Sequence, residues 1–167
     1  VGEFRPRIAK VISEKDAGIY DALNKGIENA SGDVIAFLHA DDIYADKNVI
    51  SKVMKIFNDG NADSVYGDLY YVDRADTAKI VRNWKAGKYS HGLFLKGWMP
   101  PHPSFFLKRE MYRKYGSFNT SLRSAADYEL MLRMLHKHKI SSVYLPEVIV
   151  KMRTGGVSNI SLRNRIK

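Results

Sequence analysis

Ile19, Leu23 and Ile27 recur every four positions with Ala22 and Ala30 on the flank, and this apolar stripe predicts a helix over residues 19–29. Ser31-Gly32-Asp33 supplies the expected stop, with glycine just past the helix end. The pattern then changes. Val34-Ile35-Ala36-Phe37-Leu38 is a continuous apolar run between turn signals, as expected of a strand buried on both faces in a parallel sheet. Helical spacing returns over residues 47–58, where Ile50, Val53, Met54 and Phe57 face inward and Asp59-Gly60-Asn61 ends the element. Lys10 to Ser13 reads as a short strand ahead of these, and Ser64 to Tyr66 with Leu69 to Val72 as the next strand or strand pair. This alternation predicts βαβ units, and so an α/β fold with a mostly parallel sheet flanked by helices.

The second half is less regular. Ile80 to Trp84 reads as a strand and His91 to Lys96 as a short helix. Three prolines in four residues make Met99-Pro100-Pro101-His102-Pro103 an extended loop, because proline removes a donor and restricts its neighbour. Ser104 to Leu107 is strand-like, and Arg109 to Tyr115 is a short helix ended by Gly116. Ser124 opens a last helix over residues 125–138 with Leu130, Met131, Met134 and Leu135 inward; Val143 to Met152 follows as a strand.

The chain has 167 residues, 45% of them hydrophobic and 27% charged, which suits one ordinary globular domain and excludes disorder. No apolar run approaches the ~18 residues that span a bilayer. The absence of cysteine excludes a disulfide scaffold or thiolate metal site and suits a reducing cytoplasm. Val1 to Pro6 carries no secretory signal and is expected to be a leader; residues 157–167 form a basic tail. The net charge of +9 favours an anionic partner. A nucleic-acid binder would gather its cations on one element, whereas here they are spread, with modest clusters at Lys108, Arg109, Arg113, Lys114 and at Arg163, Arg165, Lys167. A solvated basic surface and a peripheral patch at the inner face of a membrane fit equally well.

Three groups of residues can carry chemistry. Asp41 and Asp42 follow a buried strand, where ligands of α/β sheets bind. Paired carboxylates repel, and a divalent cation such as magnesium or manganese offsets the repulsion; a turn and helix cap is the plainer explanation. Asp127 lies three residues after Ser124, a capping-box spacing, yet a carboxylate at a helix start can also serve as a general base. His102, held between prolines, and Trp98 can contact a substrate, although packing accounts for such residues more often.

Taken in order, the segments Ser13-Glu14-Lys15-Asp16-Ala17-Gly18-Ile19-Tyr20-Asp21-Ala22-Leu23-Asn24-Lys25-Gly26 and Gly32-Asp33-Val34-Ile35-Ala36-Phe37-Leu38-His39-Ala40-Asp41-Asp42 resemble family 2 glycosyltransferases of the bacterial surface-polysaccharide type. Pro101-His102-Pro103-Ser104-Phe105-Phe106, Ala126-Asp127-Tyr128-Glu129-Leu130 and Gly155-Gly156-Val157-Ser158 are similar to that family's later segments. The resemblance implies a GT-A fold, a nucleotide-sugar donor, a saccharide or lipid-linked acceptor and inversion at the anomeric carbon. It makes Asp42 the holder of manganese or magnesium, Asp127 the base, Asp16, Asn24, Lys25 and Asp41 the donor side, and Trp98 and His102 the acceptor side. The family begins with two further βα units, so this chain is expected to leave strand edges open and to pair them in a homodimer or other edge-paired oligomer. A non-catalytic α/β remnant acting as an interaction module is the competing expectation.

Overall fold

The computed structural model describes residues 5–60 and 62–155. The expected tail, most of the leader, Asn61 and the loop from Gly156 to Ser158 lie outside the described residues. Helices α1 (Ile19–Asn29), α2 (Val49–Asn58), α3 (Arg109–Tyr115) and α4 (Ala126–Met131) flank a six-stranded sheet. Its strands are β1 (Val34–Ile35), β2 (Asp42–Tyr44), β3 (Ser64–Val72), β4 (Ile80–Trp84), β5 (Phe105–Lys108) and β6 (Ser142–Arg153). The order is β1-β5-β3-β6-β2, with β4 also paired to β3.

The sheet divides the core in two because alternate residues of a strand point to opposite faces. Tyr66 of β3 packs on one side with Ile27 of α1, Phe105, Leu107, Leu130 and Met131. Its neighbour Val65 packs on the other with Val49, Val53 and Phe57 of α2, and with Ile149 and Val150 of β6. β3 and β6 approach closely at Gly67, where a Cβ atom would lie 2.8 Å from the Glu147 carbonyl oxygen. Ser64 to Val72 is one continuous strand rather than a pair, and the register shifts on either side of Asp68 because β6 carries the extra residues opposite it.

The α/β layering agrees with the sequence, but the strand directions do not. Among the described strands β3 and β6 run parallel, whereas β1–β5, β3–β5, β3–β4 and β2–β6 are antiparallel. An apolar run reports burial on both faces, not direction. The return of β4 is dictated locally: the Asp73 carboxylate accepts the backbone N–H groups of Ala75 and Asp76, closing a tight turn.

Several shorter expectations also need correction. Lys10 to Ser13 is not a strand; no ladder partner lies beside it among the described residues, and Val11 and Ile12 are exposed. The apolar run from Val34 keeps only two residues in the sheet, at its edge, and Leu38 is exposed. Helix α1 stops because Ala30 turns extended, not through glycine. Ile19 and Ile50 face outward. The proline segment is not wholly extended, since His102–Ser104 forms one 3₁₀ turn, into which proline's fixed φ fits. The last helix begins after Ala125 rather than Ser124, with no side-chain cap, and passes into a π-helical stretch at Leu132–Lys137.

Candidate functional site

Helix α1 presents Tyr20, Leu23, Asn24 and Ile27 along one face, the i, i+3, i+4, i+7 spacing of a helical stripe. Two of these are polar, and both reach across the core. The Tyr20 hydroxyl donates to Asp127 Oδ1 at 3.1 Å, and its ring stacks on Phe118 at 5.6 Å. Asn24 bonds the Phe118 backbone twice, accepting its N–H and donating to its carbonyl, each at 2.9 Å. Burial, with the negative charge of Asp127 second, pushes the Tyr20 pKa up to about 12. The phenol therefore keeps its proton at neutral pH and holds the Asp127 carboxylate in place.

His102 completes that corner. Its ring lies 5.7 Å from Phe118, 5.9 Å from Phe37 and 5.7 Å from the ring of His39, and its Nε2 is buried without a hydrogen-bond partner. Burial lowers its pKa from 6.5 to about 4, against the pull of Asp127 and with the help of His39. The folded state thus favours the neutral ring, so the stability it lends is present above pH 6.5 and is lost as pH falls toward 4. We expect the melting temperature of the native chain to drop more between about pH 7 and about pH 5 than that of His102→Phe. Equal drops would show that His102 titrates freely.

His39 links this corner to the acidic pair: its ring lies 5.7 Å from that of His102, and its carbonyl accepts the Asp42 N–H at 2.9 Å. Asp42 is 6% exposed, and among the described residues its Oδ2 has no hydrogen-bond partner. Burial raises its pKa, partly offset by the charge and backbone N–H of His39, while Asp41 adds to the rise. Asp42 does not simply follow a buried strand: it opens β2, pinned opposite Met152 of β6. The turn before α2 is shaped instead by Asp46, whose carboxylate accepts the Asn48 N–H at 2.6 Å. Asp42 therefore has no capping duty that would explain its burial. Asp41 is more open, with Arg74 at 3.8 Å from its carboxylate and the Arg153 guanidinium donating to its carbonyl at 3.2 Å.

A buried carboxylate oxygen without a partner has the chemistry of a ligand for magnesium or manganese. Among the described residues no three His, Cys, Asp or Glu side chains cluster for such an ion. That arrangement still fits a cation of the magnesium type, which binds through one or two carboxylates and completes its shell with substrate phosphates and water.

The other expected site residues divide. Lys25 lies 2.8 Å from Glu14, 2.9 Å from Asp16 and 3.3 Å from Asp21, and hydrogen bonds to Glu14 and Asp16 raise its pKa. Lys25 and Asp16 line a 640 Å³ groove between α1 and the segment before it. Asn24 spends its amide on Phe118, so in this structure its polar atoms serve the fold. Trp98 donates to the Ala86 carbonyl at 2.7 Å and packs with Tyr66, Tyr89 and Phe94. His102 stands between Asp127 and His39, and His39 contacts Asp42 in turn; Lys25 with Asp16, and Trp98, stand in settings of their own. Tyr20, His39 and Arg153 were not singled out in the sequence. The helical spacing from Tyr20 to Ile27 was the available signal for the first.

The family profile described as Glycosyl transferase family 2 matches residues 2–116. An uncharacterized glycosyltransferase of Mycobacterium tuberculosis is 32% identical over 130 residues, 77% of this chain and 48% of that protein. A PGL/p-HBAD biosynthesis glycosyltransferase of Mycobacterium bovis is 26% identical over 161 residues, 93% of this chain and 60% of its own. The chain thus spans about half the length of the curated relatives it matches. The fold is that of the mannosyltransferase PcManGT from Pyrobaculum calidifontis, solved in complex with GDP-Man and Mn²⁺. The TM-score is 0.63 at 16% identity, covering 95% of this chain and 43% of that one.

Proposed function

Because the chain belongs to glycosyl transferase family 2, we propose that it is the catalytic part of an inverting enzyme that moves a sugar from a nucleoside-diphosphate donor to an acceptor hydroxyl. The observation that supports the reading is the line of contacts that runs between two carboxylates through His39 and His102: Asp42, buried with its Oδ2 unpartnered among the described residues, and Asp127, held by Tyr20. Asp127 takes the proton of the acceptor hydroxyl as its oxygen bonds to the anomeric carbon from the face opposite the diphosphate. The bond from that carbon to the diphosphate oxygen breaks, and the nucleoside diphosphate leaves with the electron pair.

Asp42 would hold manganese or magnesium together with the donor's phosphate oxygens. Such a cation, when bound, supplies Lewis-acid stabilisation of the departing diphosphate. Arg153 and Arg74 set positive charge beside the acidic pair, which further suits an anionic donor. Tyr20 keeps Asp127 aimed, and the neutral His102 shields it from water without competing for the proton. Asp16, Lys25 and Asp41 line the donor side and Trp98 and His102 the acceptor side in this reading, with a saccharide or lipid-linked sugar as acceptor and cell-surface polysaccharide as product. The edge of β1, which pairs only with β5 among the described residues, is the proposed contact for a second copy.

Calorimetric titration with a panel of nucleoside diphosphates, with and without manganese, tests the proposal. Binding of one diphosphate should tighten at least about tenfold with the cation, a coupling of about 1.4 kcal/mol. A chain that binds no diphosphate, with or without cation, would be the non-catalytic module instead.

A further inference from the structure

Between Asp76 and Glu110 the sequence has no acidic residue, while Lys79, Arg82, Lys85, Lys88, Lys96, Lys108 and Arg109 fall within it. Three of these cations serve the fold: Arg82 lies over the Tyr71 and Trp84 rings, Lys108 lies 3.6 Å from Asp63, and Arg109 donates to the Ala30 carbonyl. Lys85, Lys88 and Lys96 are exposed, and among the described residues no carboxylate pairs with them. A short 3₁₀ turn at Leu93–Lys96 stands among them, bracketed by Gly92 and Gly97, both left-handed. Within it Phe94 is 3% exposed and the next residue, Leu95, 85% exposed.

Leu95 is held outward rather than left loose. The Phe94 ring packs edge-on to Trp98 and Tyr128, and its carbonyl accepts the Tyr128 hydroxyl at 2.9 Å. The limb carrying Lys85 and Lys88 is fastened alongside, because Trp98 donates to Ala86 and the Tyr89 ring lies 5.8 Å from Phe94 and 5.3 Å from Trp98. A protruding leucine is expensive in water, and three free lysines beside it select a negative surface. The Tyr89, Phe94 and Trp98 rings are packed into the core beneath the turn and are not presented as stacking platforms for single-stranded nucleic acid.

We propose that this turn is a membrane-docking surface, with Leu95 entering the interface of an anionic phospholipid bilayer and Lys85, Lys88 and Lys96 meeting its headgroups. Through Tyr128 the surface joins the helix that carries Asp127, which would bring a lipid-borne acceptor toward that helix. The docking itself does not depend on sugar transfer.

Sedimentation of the full chain with vesicles tests it, using phosphatidylcholine alone or with about one-third phosphatidylglycerol. Binding should require the anionic lipid and weaken with salt. Leu95→Asp, and separately Lys88→Glu with Lys96→Glu, should each weaken it about tenfold or more at unchanged melting temperature. Lys55→Glu on α2, exposed elsewhere on the chain, should bind like the native protein. The proposal fails if the native chain ignores anionic vesicles, if the turn variants bind normally, or if Lys55→Glu weakens binding as much as they do. It fails equally if a single-stranded RNA binds more tightly than the vesicles and its binding is the one these variants remove. Sugar transfer can be measured on the same variants with a soluble acceptor, so loss of docking and loss of catalysis are separable.

Discussion

Asp127→Asn should lower turnover of the full-length enzyme by about 10²-fold or more while leaving donor affinity within a few-fold of normal. Asparagine has the shape of aspartate and retains an oxygen that can accept the Tyr20 hydroxyl, so the contact at 3.1 Å survives. What it loses is the capacity to take a proton. The helix should also keep its stability, since no side chain caps it at Ala125 and the capping box suggested by Ser124 does not form. A capping role would have appeared as a loss of ~1 kcal/mol with near-normal turnover. Rate and melting temperature measured on one preparation therefore distinguish base from scaffold. Near-normal turnover in the variant would remove Asp127 from the chemistry.

Asp42→Ala should abolish the coupling between divalent cation and nucleoside diphosphate while leaving the fold standing, or slightly firmer. Its carboxylate is 6% exposed, lacks a partner at Oδ2 and has its pKa raised by burial. Such a group opposes folding in its charged form, because its hydrogen bonds only partly offset the desolvation. A raised carboxyl pKa means that this penalty is felt above that pKa and disappears as the group is protonated at lower pH. Removing the carboxylate therefore relieves the penalty, against the small packing loss of a shorter side chain. Thermal denaturation without ligand, paired with calorimetric titration of manganese and diphosphate, reads both effects. Unchanged coupling in the variant would sink the metal assignment, whatever happened to stability.

Helices α1, α2 and α3 were legible in the sequence because each has one apolar face and a well-marked end; α1 and α3 run over the predicted residues. The region after Met131 was harder. A π-helical stretch adds a residue to the turn and shifts the phase of the stripe, so periodicity of 3.6 ceases to describe it. Strand directions were hidden for a different reason: β3 meets β5 and β6, contacts that depend on partners distant in sequence. The site was half visible. Asp42, His102 and Asp127 belong to motifs, but the roles of Tyr20 and His39 come from side chains that meet only after folding. Asn24 shows the opposite case, a motif residue whose hydrogen-bonding atoms are both committed to the backbone of another segment.

That commitment has a mechanical consequence. By accepting from and donating to the same residue, Asn24 acts toward Phe118 as a strand acts toward its neighbour, in a place where the chain provides no strand. Tyr20 adds a second fastening one helical turn away, to the same Phe118 ring and to Asp127. Two points fix an axis where one would leave a pivot. Helix α1, the segment carrying Phe118 and the start of α4 are therefore braced against relative rotation, and thermal jostling of one is carried over to the others.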